Sequence, residues 1–293
     1  MAHLQSNATL RRVVEFLELI APARLAGSWD NVGLIAQSPV PRASKGVFLA
    51  VDLTPAVAEE LLAKDVNTAI IYHPVVFSPV RSLTMANPLQ SSILKCIASG
   101  ISIYCPHTTL DVIDGGINDW IAAGLQHPWE KEALSDDVLY RRVRDGSGAE
   151  PCEKAPNART PTEGIGRAFT LPEPCTLAAL VERAKRHFGI EHVQIAEGVG
   201  KTIDTPVQKV AVCAGSGASV LKSSTDADVW VSGELGHHDI LAANAQGISV
   251  IVTNHTNTER RFFRTLFAPL LREQLPELTV YVSDADRDPL RTV

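Results

Sequence analysis

Cysteine is scarce in this chain, and no two cysteines have the spacing of a metal-binding or redox pair. Five occur among 293 residues, and none belongs to a CxxC motif. An odd, scattered set is typical of reduced thiols in an intracellular protein, and it argues against a disulfide framework or a zinc knuckle. The five are Cys96, Cys105, Cys152, Cys175 and Cys213.

Excess positive charge, long apolar runs and a phosphate-binding loop are missing as well. The formal net charge of −6 argues against a nucleic-acid partner. No apolar run approaches the roughly 20 residues that a membrane helix needs, so we expect no membrane partner. The motif GxxxxGK(S/T) is absent, so the phosphates of a bound GTP would need other ligands.

The N-terminus lacks the apolar core of a signal peptide. The apolar residues between positions 10 and 20 instead predict the buried stripe of a first helix. We therefore expect a soluble, cytoplasmic protein, and a nuclear or mitochondrial pool stays open. Hydrophobic residues make up 45% of the chain and charged residues 20%, as in an ordinary globular protein of one large or two medium domains.

Short apolar runs separated by helical patterns predict the α/β class. Each half of the chain contains three such runs, which indicates a weak internal duplication. The runs are 47–53, 67–77 and 101–111 in the first half, and 208–215, 228–239 and 248–255 in the second. We expect a first half at 1–125, an insertion or flexible connection at 126–163, and a second half at 164–293.

Ionisable residues cluster just beyond the predicted strand ends, where parallel α/β sheets form their sites. Histidine and carboxylate are ligands of zinc, iron and manganese. His255 and Glu259 stand four residues apart, so a helix starting here would place both on one face. The set comprises His73, His107, Asp111, Glu234, His255 and Glu259.

Each of these residues also has a purely structural interpretation. His73 and His107 flank prolines in turns and would serve equally well to cap a helix or bind a carbonyl. Glu234 suits the first turn of a helix, where the macrodipole favours an acid. His237 and His238 are adjacent, so in a helix they point about 100° apart and at most one easily joins a site.

Five motifs in order resemble one family, the NGG-one-interacting-factor-three-like proteins, also called GTP cyclohydrolase 1 type 2 homologues. The resemblance runs from about residue 9 to the C-terminus, except for 126–163. The motifs are WDNVGL at 29–34, YHPVVF at 72–77, PHTTLD at 106–111 with GGINDW at 115–120, SGELGHHD at 232–239, and NHTNTER at 254–260.

This resemblance implies two related α/β domains of the three-layer type, with a dinuclear metal centre in the cleft between them. Carried over by motif, the metal ligands are His73, Asp111, His255 and Glu259, and Glu259 bridges the two ions. His107, Glu234 and His238, with His237, would line the cleft, the first three as catalytic candidates. The family also implies a ring-like homo-oligomer, often a hexamer.

Three positions depart from the bacterial pattern of the family. Tyr72 stands where many bacterial members have a first histidine, Asn254 where a glycine is common, and Gly27 where a glutamate often precedes the Trp-Asp-Asn motif. The Tyr-His-Pro sequence resembles the eukaryotic branch. Tyr72 leaves the second of the two divalent ions with one ligand fewer.

Three functions are compatible with these residues. A hydrolase would use two zinc, iron or manganese ions on a nucleotide or phosphoester, and the family name implies opening of the guanine ring of GTP. A regulatory adaptor would bind a transcriptional co-activator and keep the metal for structure. A metal chaperone would exchange its ion through an open cleft.

Overall fold

The computed structural model describes residues 7–129, 131 and 133–292. The α-helices are α1 (Ala8–Ile20), α2 (Pro55–Leu62), α3 (Pro88–Ala98), α4 (Thr108–Val112), α5 (Ile117–Gln126), α6 (Asp136–Arg144), α7 (Leu177–Phe188), α8 (Ala218–Leu221), α9 (His237–Ala245), α10 (Arg260–Phe262) and α11 (Ala268–Gln274). The strands are β1 (Gly33–Ala36), β2 (Gly46–Ala50), β3 (Thr68–Ile71), β4 (Ser102–Cys105), β5 (Glu153–Lys154), β6 (Gly164–Ile165), β7 (Arg167–Thr176), β8 (Gln194–Ala196), β9 (Pro206–Ser216), β10 (Val229–Glu234), β11 (Ser249–Val252) and β12 (Thr279–Val282). The mixed α/β class expected from the sequence is confirmed.

The chain forms two compact units, and the second interrupts the first. The first unit runs to Leu110 and also includes Phe267–Arg287, whereas the second runs from Asp111 to Leu266 and resumes at Asp288. Helix α5 packs against β7 and β9 within the second unit, and the domain boundaries expected from the sequence stay a prediction. No helix in the described ranges has both the length and the hydropathy needed to cross a membrane.

The first unit is built on a five-stranded sheet with the order β1-β4-β3-β2-β12. Strands β2, β3, β4 and β12 pair in parallel, and β1 is antiparallel to β4. Every residue of β2, β3 and β4 is buried, as the continuous apolar runs predict. Thr54 caps α2, which starts at Pro55, so the chain turns into a helix directly after β2.

The second unit is built on a five-stranded sheet with the order β7-β9-β10-β11-β8. Strands β9, β10 and β11 pair in parallel, and both edge strands are antiparallel. A buried ion pair joins α5 to β7, because Arg167 donates two hydrogen bonds of 2.9 and 2.8 Å to Asp119. The same guanidinium also donates to the carbonyl oxygens of Gly164, Gly166 and Ile113, which compensates its desolvation.

The segment 126–163, expected to be an insertion or connection, contains regular structure. Ser135 caps α6, two aspartates lie in its first turn, and arginines lie in its last turn. Leu139 and Val143 of α6 are buried. Strands β5 and β6 pair as a short antiparallel ribbon. The nine residues of α6 are mostly charged, which hid its period in the sequence.

Candidate metal centre

The loop after β11 turns sharply before the motif His-Thr-Asn-Thr-Glu. Asn254 has φ 67° and ψ 150°, a conformation that glycine adopts far more readily than other residues. His255–Thr258 then form a single 3₁₀ turn, not the start of the expected α-helix. Asp288 holds this turn in place, because it accepts hydrogen bonds from the backbone N–H and the hydroxyl of Thr256, at 3.2 and 2.8 Å.

This turn brings His255 and Glu259 together, as their spacing predicts. The Nε2 atom of His255 lies 3.5 Å from Oε1 of Glu259, and the Nδ1 atom lies 3.2 Å from Oε2 of Glu234. Glu259 is 1% exposed, whereas the side chain of His255 is 32% exposed. A carboxylate this deeply buried needs a positive or hydrogen-bonding partner, and a metal ion is one such partner.

A glycine at the end of β9 leaves room beside these two side chains. Gly215 has φ 59°, and its backbone N–H donates to Oγ1 of Thr258 at 2.8 Å. A Cβ atom at this position would lie 2.9 Å from both Nε2 of His255 and Oε1 of Glu259. Any side chain here would therefore occupy the space next to the two ligand atoms.

In the first unit, His73 follows the end of β3 and is held by a carboxylate from the neighbouring strand end. Its Nδ1 atom lies 2.9 Å from Oδ1 of Asp52. His73, His255 and Glu259 form a group of candidate metal ligands, with one ligand atom of each within 4.8 Å of the others. Three of the four predicted ligands therefore belong to this group.

Asp111, the fourth predicted ligand, is a buried residue of the second unit. Its backbone carbonyl accepts from Nδ2 of Asn118 at 3.0 Å, and Oδ1 of Asn118 accepts from the N–H of Ala214 at 2.9 Å. Burial raises the pKa of the Cys213 thiol well above 9.0, and the charges of Asp111, Cys152 and Glu259 raise it further. Asp111 and Glu259 thus lie close enough to act on one thiol, but the role of Asp111 as a ligand stays a prediction.

His107 follows the end of β4 and forms a dyad with Asp30. Its Nδ1 atom lies 2.7 Å from Oδ1 of Asp30, whose other oxygen accepts from the hydroxyl of Thr108 at 2.5 Å. Burial acts to raise the pKa of Asp30, but the bonds to His107 and Thr108 and the charge of His107 outweigh it, so the pKa is lowered. His107 has φ 36°, and its imidazole ring centroid lies 5.5 Å from that of His73.

Of the remaining catalytic candidates, Glu234 contacts His255, whereas His238 lies at the start of α9. His237 and His238 are exposed, and their ring centroids are 5.3 Å apart. The catalytic roles predicted for Glu234, His107 and His238 stay predictions.

The donor set fits a divalent metal ion. Two ligand atoms bound to one tetrahedral ion at about 2.1 Å lie about 3.4 Å apart, close to the distance between His255 and Glu259. Metal-binding imidazoles usually carry a carboxylate or carbonyl on the ring nitrogen that faces away from the ion. His73 and His255 each have such a carboxylate on Nδ1, which leaves Nε2 to bind metal.

Three contributors to this arrangement were not identified as functional from the sequence. Asp30 lies within the motif WDNVGL, Asp52 lies near the end of the apolar run 47–53, and Gly215 ends the run 208–215. Their positions directly after or before apolar strands were the available signal. The residues that each of the three contacts could not be predicted from the sequence, because the contacts form between segments that are distant in the chain.

The chain matches the family model described as Duf34/NIF3 (NGG1p interacting factor 3) over residues 8–289. It is 38% identical to the protein NIF3 homolog of Schizosaccharomyces pombe, with all of both chains covered. It is 33% identical to NGG1-interacting factor 3 of Saccharomyces cerevisiae, covering 99% of each chain. It is 30% identical to human NIF3-like protein 1, covering 99% of this chain and 94% of the relative.

Solved structures share the fold at lower sequence identity. A Bacillus cereus protein related to NIF3 aligns with a TM-score of 0.77 and 20% identity, covering 97% of this chain and 98% of the other. Reduced HcgD from Methanocaldococcus jannaschii aligns with a TM-score of 0.72 and 24% identity, covering 94% and 97%. The family model and the relatives cover nearly the whole chain, so this protein belongs to the Duf34/NIF3 family.

Proposed function

We propose that the protein is a hydrolase that depends on divalent metal and acts on a nucleotide or a phosphoester. The observation that carries this proposal is the group of His73, His255 and Glu259, in which both histidines have a carboxylate on Nδ1. A histidine held in this way presents Nε2 in one tautomer and one orientation. Such preorganisation is a common property of metal sites that perform chemistry.

Divalent ions held by these residues would supply Lewis-acid chemistry, which activates water and stabilises negative charge on the oxygen under attack. His73 and His255 would bind through Nε2, with Asp111 as a further ligand. Glu259 would bridge two ions, as the family resemblance implies. Zinc, iron(II) and manganese all suit this set of nitrogen and oxygen donors.

The dyad of His107 and Asp30 would move the proton. Asp30 accepts the N–H of Nδ1, so the lone pair of Nε2 is the group that takes a proton from water or returns it to the leaving group. Asp30 is a positioning residue, because it acts only through His107. Asp30→Asn should lower kcat and shift the pH–rate profile while leaving metal content unchanged.

Metal content per chain, measured by elemental analysis on protein purified without chelator, tests the centre. We expect one to two equivalents in the wild type and none in the double variant His255→Ala/Glu259→Ala. His192→Ala is the matched control, because His192 is an exposed histidine on the same unit, with 58% of its side chain accessible. Equal metal in wild type and double variant would contradict the proposed ligands.

Hydrolysis assays test the activity on the same preparations. GTP and a panel of phosphoesters would be incubated with metal-loaded wild type and with the double variant. Turnover that requires both His255 and Glu259 supports the proposal. A fully loaded wild type that hydrolyses nothing above the rate of the double variant would refute it.

A second candidate function is a regulatory protein that binds a transcriptional partner. It is favoured by the yeast relative whose name, NGG1-interacting factor 3, states an interaction with another protein. In this case the metal would be structural. Removing it should lower the melting temperature, while partner binding would follow folding alone.

We also propose that the chain assembles into a homo-oligomer, a hexamer by family resemblance, and that it acts in the cytoplasm. Sedimentation equilibrium would measure the mass of the assembly, for which the chain contributes 31.6 kDa. A monomer at all concentrations would contradict the assembly. Placement of the metal centre in a cleft between two domains likewise stays a prediction.

A further inference from the structure

Two large aromatic side chains of the first unit are exposed next to His107. Trp29 is 62% exposed and Phe77 is 52% exposed. Their ring centroids are 6.0 Å apart, with the planes tilted by 56°. Aromatic side chains normally bury most of their surface, so an exposed pair marks a surface that binds something apolar or planar.

Both rings contact the imidazole of His107 through edge-to-face geometry. The centroid of Trp29 lies 6.1 Å from that of His107 at 82°, and the centroid of Phe77 lies 6.3 Å away at 87°. The ring of His73 lies next to His107 on the same unit. A planar group lying on Trp29 or Phe77 would thus be next to His107. The ring of His107 in turn contacts that of His73, a candidate metal ligand.

The backbone holds the indole of Trp29 in this position. A Cβ atom at Gly27 would lie 2.7 Å from Nε1 and 2.9 Å from Cε2 of Trp29, so the ring rests on a glycine. Asn31 donates a hydrogen bond to the carbonyl of Val76, the residue before Phe77. The Trp-Asp-Asn turn therefore places Trp29, fixes His107 through Asp30, and anchors the segment that carries Phe77.

We propose that Trp29 and Phe77 bind the planar ring of the substrate, a nucleobase or another aromatic group, while the bond to be hydrolysed lies at the metal group. That the bound ligand is hydrolysed rests on the proposed hydrolase function. Binding of the ring to Trp29 and Phe77 does not depend on that function. Every base has a π-face, so an aromatic surface of this kind favours planar ligands without selecting one base.

A second copy of the chain is the competing occupant of this surface. Further exposed apolar side chains follow Phe77 in the chain, at Val80, Leu83 and Met85. However, a flat apolar protein surface pressed onto Trp29 and Phe77 would also cover the part of the His107 side chain that is still accessible, 16% of it. Burying that group without a new hydrogen-bond partner is costly, and a small ring avoids the cost by leaving the imidazole open to water or substrate.

Ligand affinities measured by equilibrium dialysis on the metal-loaded protein test the proposal. GMP and ribose 5-phosphate share the sugar and the phosphate but differ in the ring. We expect GMP to bind at least tenfold more tightly, and we expect Trp29→Ala and Phe77→Ala each to remove most of this preference. Gly27→Ala, which displaces the indole without deleting it, should weaken GMP binding in the same direction.

Leu89→Ala is the matched control, because Leu89 is a comparably exposed apolar residue at the start of α3. It should leave the preference for GMP unchanged. Trp29 is also a reporter, because it is the most exposed of the four tryptophans: Trp120 and Trp230 are buried, and Trp129 is half-buried. GMP should therefore quench the red-shifted part of the tryptophan emission in the wild type and not in Trp29→Phe.

Equal affinity for GMP and ribose 5-phosphate, or no detectable binding of either, would overturn the proposal. So would a Trp29→Ala variant that keeps the full preference for GMP but changes the sedimentation coefficient, which would assign the surface to self-association. Dialysis needs no turnover, so a protein that prefers GMP but hydrolyses nothing contradicts the hydrolase alone. Hydrolysis of phosphoesters with no preference for a ring contradicts the aromatic surface alone.

Discussion

The two units carry different residues at the carboxyl ends of their corresponding parallel strands. The strands β2, β3 and β4 are followed by Asp52, His73 and His107. In the second unit, Gly215 is the last residue but one of β9, Glu234 is the last residue of β10, and His255 follows the end of β11. In both sheets the third strand also pairs with an antiparallel edge strand, β1 or β8. The layout is shared, so the chemistry of each unit depends on the side chains placed at the strand ends and not on the sheet.

The difference is clearest in how each histidine finds its carboxylate. In the first unit, His73 is hydrogen-bonded to Asp52, at the end of a neighbouring strand. His107 is hydrogen-bonded to Asp30, in the turn before β1. In the second unit, His255 contacts Glu234 and Glu259, while Gly215 contributes only space. The second unit thus holds two candidate ligand atoms close together, whereas in the first unit each of the two histidines is paired with a single carboxylate.

Filling the space at Gly215 should have the largest effect on this comparison. Gly215→Ala places a methyl group 2.9 Å from two ligand atoms and also strains a backbone with φ 59°. We expect metal affinity to fall by at least about a hundredfold, or about 3 kcal/mol. Metal titration followed by elemental analysis measures it.

Gly200→Ala separates the two causes, because Gly200 has φ 77° but no atom within 4 Å of the added Cβ. The Gly200→Ala variant should have a strained backbone at residue 200 but the metal affinity of the wild type. Equal loss of metal in both variants would mean that strain, not the occupied space, is responsible.

The pH dependence of stability should distinguish the units next. His187 of the second unit packs 3.9 Å from Trp120 between ring centroids, and neither ring nitrogen has a hydrogen-bond partner in the described structure. Burial, and then the charge of Arg261, lower the pKa of His187 from 6.5 to about 3. Between these values the unfolded chain binds a proton that the folded chain does not, so stability falls as the pH falls.

From this difference in the pKa of His187, we expect the free energy of unfolding to fall by about 2 kcal/mol between pH 7 and pH 5. Urea denaturation at both pH values measures it. His187→Leu should remove this part of the pH dependence, whereas His192→Leu, at an exposed histidine, should not. A His187→Leu variant with an unchanged pH profile would contradict the assignment.

The smallest expected effect is on stability, at the turn that follows the third parallel strand of each sheet. In the described residues, His107 and Asn254 are the residues other than glycine with positive φ, and each follows its strand end by two positions. Asn254→Gly should relieve strain and raise stability by about 1 kcal/mol, seen as a melting temperature a few degrees higher. Metal content should not change. A lower melting temperature would show that the Asn254 side chain stabilises the turn.

Much of the fold could be read from the sequence. The apolar runs predicted all six central parallel strands, and the residues after them included the three members of the metal-ligand group. The helix expected to start at His255 and Glu259 forms only in part, because His255–Thr258 form a 3₁₀ turn and Phe263–Phe267 form a π-helical turn between α10 and α11. Helix α6 was missed, since its charged surface masks the two buried residues that anchor it.

The sequence by itself determined the strands, the polar residues at their ends and the family, because these depend on local pattern and on motifs of a few residues. The tertiary structure decided which carboxylate holds which histidine. Asp30 and His107 are 77 residues apart, and Asp52 and His73 are 21 apart. Such pairs depend on strand order and register, which no local pattern encodes. The same holds for the space at Gly215 and for the exposed faces of Trp29 and Phe77, because both exist only once separate segments pack together.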